Sequence, residues 1–120
     1  MAEQKTALDF EALRRADEQN DVEALAGFYA EDAEMRLVSK DNPPSSPFEL
    51  RGREQIAEFL RDVFDRDIES RIENEVLGED RIAFNVACGY PDGTRVFAAT
   101  TLEVEDGKIC RQVTVETWDE

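Results

Sequence analysis

Few side chains in this 120-residue chain could carry chemistry, and Glu116 stands first among them. It comes two residues before Trp118, the only tryptophan. A carboxylate held against an apolar aromatic wall keeps its proton more tightly and can act as acid or base. Near a strand end it can equally be a solvated or dimer-face residue. Cys88 would be a nucleophile only with a base or a helix N-terminus beside it. The sequence supplies neither, so it reads as a core thiol. Arg71 and Arg111 could grip a substrate carboxylate, but both lie in charge-rich runs where cross-strand ion pairing is the simpler role. Tyr29 and Tyr90 offer hydroxyls whose presence ordinary packing also explains. Asn85, Thr100 and Gln112 fall side by side across three strands in the simplest register. Such a row could hold a ligand or hydrogen-bond across a dimer interface.

The chain contains no histidine, which removes the commonest general base and the commonest metal ligand. Two cysteines without Cys-x-x-Cys spacing do not make a zinc site, and no cofactor is expected. With 14 basic against 29 acidic residues the net charge is -15, which repels nucleic acid and anionic membrane surfaces. A basic protein partner is compatible with that charge, as is a merely soluble, self-repelling surface or a high-salt habitat. The opening Met-Ala-Glu-Gln-Lys is polar and no run reaches membrane-spanning length, so a cytoplasmic protein is expected.

The elements that must position these residues are legible. A length of 120 residues makes one domain, residues 1–120, with one core. Thr6-x-x-Asp9 resembles a capping box before a helix over 7–19, with Phe10, Leu13 and Ala16 inward. Asn20-Asp21 caps a second helix over 22–30. Residues 33–38 read as a strand and 39–51 as a proline-rich loop, either a pocket rim or an idle surface loop. The spacing of Ile56, Phe59, Leu60, Val63 and Phe64 predicts a helix over 53–64 with a wide apolar stripe. An alternating strand, 67–77, leads into three more, 81–90, 95–104 and 108–118, joined by Pro-Asp-Gly and Glu-Asp-Gly turns. Pairing Tyr90 with Arg95 and Val104 with Lys108 sets Cys88 and Cys110 roughly 16 Å apart along the middle strand, too far for a disulfide. The same register puts Ile82, Phe84, Val86, Phe97, Ala99, Val113 and Val115 on one face. It puts Ala83, Ala87, Val96, Ala98, Leu102 and Trp118 on the other. A bulge within 108–118 would reverse the facing of Glu116 and Trp118. Helices segregated from an antiparallel sheet make an α+β fold. Three helices cover one sheet face, so the other apolar face predicts a homodimer through sheet faces.

Several stretches together resemble the nuclear transport factor 2-like (NTF2-like) superfamily, which includes SnoaL-like cyclases and ketosteroid isomerase. They are Asn20-Asp21-x3-Leu25-x2-Phe28-Tyr29-Ala30-Glu31-Asp32-Ala33, Arg51-Gly52-Arg53-Glu54-x-Ile56-x2-Phe59, Asp106-Gly107-Lys108-Ile109-x-Arg111 and the terminal Trp118. The resemblance implies a cone: N-terminal helices packed on a strongly curved antiparallel sheet around an apolar pocket, usually in a dimer. It also allows a residue check. Leu37 falls where the isomerase has its base, Leu13 where it has its oxyanion tyrosine, and Ala99–Leu102, where it has its sheet carboxyl, holds no acid. The resemblance therefore implies no ketosteroid isomerase activity. The pocket it implies would be lined by Leu13, Phe28, Met35, Leu37, Phe59, Phe84, Val86, Cys88, Phe97 and Trp118, and would take a small hydrophobic ligand. Three functions stay open: a ligand-binding SnoaL-like protein, a cofactor-independent isomerase, cyclase or dehydratase acting on a small carbonyl compound through Glu116, and an acidic protein-interaction module.

Overall fold

The first helix begins where a side chain can accept its free N–H groups. In the computed structural model, which describes residues 8–119, that residue is Asp9, whose carboxylate accepts from the Ala12 N–H at 3.1 Å. The Thr6 end of the expected box lies outside the described residues, but Asp9 is itself the cap rather than the third residue of a helix from 7. Helix α1 then runs Phe10–Glu18, and Asp21 caps α2, Val22–Ala26, in the same way. The second helix is shorter than its sequence predicts. It stops before Gly27, and Tyr29 already belongs to strand β1, Tyr29–Val38. After the Pro-rich segment, Phe48–Arg51 forms a short strand β2 rather than the end of a loop. Pro47 ends the irregular segment, and the four residues after it pair with β1 at Glu34–Leu37. Gly52, at φ +90°, turns the chain into α3, Arg53–Phe64.

Strands β3 (Glu69–Leu77), β4 (Arg81–Gly89), β5 (Arg95–Glu105) and β6 (Lys108–Trp118) complete a six-stranded sheet ordered β2-β1-β6-β5-β4-β3. All neighbours are antiparallel except β1 and β6, which run parallel and close the N-terminal hairpin onto the meander. The fold is thus α+β, on a mixed sheet. Phe10, Leu13, Leu25, Ile56 and Leu60 of the helices pack with Met35, Ile72, Ile82, Phe84, Leu102 and Ile109 of the sheet. The Phe10 and Phe84 rings meet at 5.7 Å.

The two turns decide which side chains join that core. Asp106 and Gly107 both have positive φ, the I′ geometry expected of Asp-Gly. This turn is one residue tighter than the simplest reading, since Glu105 rather than Val104 faces Lys108. The other turn is tighter by one residue too. Tyr90 N–H bonds Thr94 O, and Gly93 takes the left-handed position of a three-residue loop. Gly89, not Tyr90, therefore faces Arg95, and Cys88 faces Val96 rather than Phe97. One slipped residue exchanges the faces. Ile82, Phe84 and Val86 lie with Val96, Ala98, Leu102, Glu116 and Trp118 toward the helices. Phe97, Ala99, Val113 and Val115 share the outer face with Ala83 and Ala87. The irregularity in β6 falls at its start, where Cys110 is the extra residue between the Val104–Ile109 and Glu103–Arg111 pairs. Cys88 and Cys110 are both free thiols.

Ile109 is fully buried, and its N–H bonds Phe28 O at 2.8 Å where β1 meets β6. Ile109→Ala should lower unfolding stability in urea by roughly 3 kcal/mol. Val76→Ala, at a side chain 67 % exposed, should cost about 0.5 kcal/mol or less.

Candidate functional site

At the end of the sheet where α1 finishes lies a broad depression of about 1340 Å³. Its walls come from Glu18–Asn20, the segment 67–71, the β4–β5 hairpin and the last residues of β6. Tyr90 and Trp118 stack at 5.3 Å as an aromatic wall, and Ile68 and Val96 add apolar surface. Ser70 and Cys88, opposite each other on β3 and β4, are half-buried polar groups lining it.

The positions of the expected site residues divide into groups. Cys88, Phe97 and Trp118 border the depression, Phe97 from the outer face and 46 % exposed. Leu13, Met35 and Phe84 are buried in the core. Phe28, Phe59 and Val86 pack against it. Leu37 is half-buried, opposite Phe48 on β2. The side chains thought to line a cone therefore mostly fill it, and the open volume lies at its end. Glu116 faces the helix side, and one carboxylate oxygen accepts the Trp118 indole N–H at 2.8 Å. The expected row of Asn85, Thr100 and Gln112 does not form. Asn85 is on the outer face, accepting from Asn74 at 2.8 Å. Thr100 meets Thr114 at 3.0 Å, Gln112 donates to that same Thr114 oxygen, and Tyr29 donates to Gln112. This chain of four polar side chains crosses β5, β6 and β1 on the helix-facing side. Burial, then the charge of Asp17, pushes the Tyr29 hydroxyl far above its usual range, so it stays a neutral donor.

The reading by residue type missed Asp17. It lies half-buried in line with the buried stripe of α1, seven residues after Phe10 and four after Leu13, where a carboxylate is out of place. That spacing was the available signal. Its carboxylate accepts from the Ser70 hydroxyl. Burial is the main reason that its pKa rises to about 6, and Glu18 adds to the rise. The Ser70 hydrogen bond opposes it. Burial and the Asp17 charge also push the Cys88 thiol up to about 11, which leaves it protonated and a poor nucleophile at neutral pH. Nearby Asn20, at φ +55°, donates to Ile68 O at 3.1 Å, while its buried Oδ1 has no partner among the described residues.

The folded state binds the Asp17 proton more tightly than the unfolded chain, whose value is near 3.8. The stability this supplies is complete below pH ~4 and is lost as pH rises through about 6. Asp17→Asn retains an acceptor for Ser70 without the buried charge. It should therefore gain on the order of 1–2 kcal/mol over the native protein at pH 8, with the gain shrinking toward pH 5 in paired urea titrations.

The sequence matches the SnoaL-like domain over residues 10–112. No curated protein matches it. Solved structures of similar shape include a candidate ketosteroid isomerase from Kribbella flavida DSM 17836, at TM-score 0.73 and 21 % identity over 92 % of this chain and 75 % of that one. An NTF2-like protein of unknown function from Mesorhizobium loti aligns at TM-score 0.77 and 17 % identity, over 89 % and 86 % of the two chains. A computationally designed 17-OHP binder aligns at 0.71 and 18 %, over 97 % and 99 %. Identities this low speak for the fold alone. The parallel closure of β1 on β6, the helix-lined inner face and the match over 10–112 together make this chain a member of the SnoaL-like family, with an NTF2-like fold.

Proposed function

We propose that the protein binds a small, uncharged, mainly apolar molecule in the depression at the end of its cone, and does so as a homodimer. The observation that carries the binding reading is the 1340 Å³ volume in which the Tyr90–Trp118 stack, Ile68 and Val96 give an apolar wall, within a charged rim of Glu18, Asp67, Glu69, Arg71, Arg95 and Asp119. A net charge of -15 favours a neutral ligand over an anion. The designed 17-OHP binder is a precedent for such a ligand in this fold, and only for the fold. Isomerase chemistry of the ketosteroid type is no part of the reading. On the family resemblance, Leu13 and Leu37 would fall where its tyrosine and base are, and Ala99–Leu102, where its sheet carboxyl would be, carries no acid.

The dimer reading rests on the outer sheet face. Phe97 and Val115 are 46 % and 50 % exposed, and Ala99 lies directly opposite Val115. This apolar strip on a strongly acidic chain is the kind of surface a second copy can cover without charge repulsion. A second functional reading, a cofactor-independent isomerase, cyclase or dehydratase on a small carbonyl compound, keeps Glu116 as its acid/base. It is favoured by the carboxylate's place on the helix side beside Trp118.

Trp118 is the only tryptophan, so its fluorescence reports on the site directly. The neutral ketone 2-acetylnaphthalene should quench it along a saturating one-per-protomer isotherm. Trp118→Ala should weaken binding by roughly tenfold in calorimetry. A linear, unsaturable response would remove the binding reading. Glu116→Gln should leave binding intact, and a large loss of turnover of any carbonyl substrate in that variant would favour the enzyme reading instead. Sedimentation at micromolar concentration should give a dimer for the native chain and a folded monomer for Val115→Lys. A native monomer would sink the interface.

A further inference from the structure

We propose that Asp17 and Ser70 form a two-state hydrogen-bonding anchor that reads the oxygen function of the bound molecule, preferring a hydroxyl when Asp17 is ionised and a carbonyl when it is protonated. The proposal deepens the binding reading above and rests on it. Ser70 lines the depression, and Asp17, half-buried on α1, lies one hydrogen bond behind it. The pair therefore connects the ligand space to a carboxyl group that the ligand does not need to touch.

The number of donors and acceptors in the pair sets the preference. An ionised carboxylate only accepts, so it claims the single Ser70 proton, as the observed Ser70-to-Asp17 bond has it. Ser70 then shows only lone pairs, to the Cys88 thiol facing it and to the ligand, whose matching group is an O–H donor. Once Asp17 takes a proton, the acid O–H becomes the stronger donor and turns to the Ser70 oxygen. The Ser70 proton is released toward the depression, where a carbonyl is its partner. The group that meets the ligand, the Ser70 hydroxyl, is uncharged in either state, which suits a neutral ligand.

The groups facing Asp17 favour a switch within the physiological range. From its own helix Glu18 contributes a like charge, and burial acts in the same direction. From β3 only the Ser70 hydroxyl opposes them. The Cys88 thiol on β4 and the Tyr29 hydroxyl on β1 both sense the Asp17 charge, and both are held neutral. Glu116 on β6 acts on Cys88 and Tyr90 from farther along the wall, and Arg66 acts on Tyr90. Arg14, one turn before Asp17, is engaged by Glu75 at 2.7 Å and Ile72 O at 2.7 Å. Asp17 is thus left to titrate near pH 6.

The test uses one carbon skeleton in two oxidation states, 2-acetylnaphthalene and 1-(2-naphthyl)ethanol, titrated at pH 5 and pH 8. The native protein should favour the alcohol by roughly three- to tenfold at pH 8, the scale of one neutral hydrogen bond, and should lose or reverse that preference at pH 5. In Asp17→Asn the amide offers a donor and an acceptor at every pH, so the ratio should become independent of pH. In Ser70→Ala both probes should still bind, without preference. A native ratio that is the same at both pH values, or a pH switch that survives in Asp17→Asn, overturns the anchor while leaving the pocket standing. Failure of both probes to bind at either pH overturns the pocket and the anchor together.

Discussion

The attachment of α1 to the edge strand β3 governs the arrangement of this molecule. An edge strand leaves half its backbone groups without partners, and those on β3 are met by side chains of the helix region. Arg14 donates to Ile72 O, Glu18 accepts from Ile72 N–H at 2.9 Å, and Asn20 donates to Ile68 O. The salt bridge from Arg14 to Glu75 reinforces them. Helix and strand are thereby fixed in one register. Phe10 meets Phe84, and Asp17 is placed against Ser70 at the inner side of the depression. Even a half-buried carboxylate is costly unless something compensates. Here the compensation is a single hydroxyl, so the residue stays near its point of neutralisation instead of being locked in one charge state.

The sheet has two faces with different duties. Its inner face carries the core, the polar chain from Tyr29 through Gln112 and Thr114 to Thr100, and the aromatic wall at the open end. Its outer face is apolar along Phe97, Ala99 and Val115, bordered by exposed Arg71 and Arg95. Burying the central part of that face in a dimer would leave the depression at the sheet end accessible.

Much of this was written in local sequence. The stripe of α3, the Asp-Gly turn, the cap at Asp21 and the alternation of the last four strands each follow from short-range rules, and the family resemblance added the cone. The faces of the sheet were not legible, because they depend on whether the Tyr90–Thr94 hairpin has three or four loop residues. Pro-Asp-Gly permits either, and one residue exchanges every side chain of β4 relative to β5 and β6. Strand β2 was hidden behind the proline run, since four residues are too few for an alternation to declare itself. Asp17 could have been found. A carboxylate at the i, i+3, i+7 positions after Phe10 and Leu13 breaks the apolar stripe, and such a break is worth more attention than an acidic residue beside a tryptophan in sequence. Its partner Ser70, 53 residues away, is visible only once the chain is folded.

The central claim is that a carboxyl group buried beside the ligand space changes charge near neutrality, and NMR titration of the Asp17 side-chain carboxyl carbon tests it most directly. A midpoint at about pH 6, moving higher when Ser70 is replaced by alanine, is the predicted result. A midpoint near 4, unmoved by that replacement, would mean that Asp17 is solvated and uncoupled from Ser70, and would contradict it.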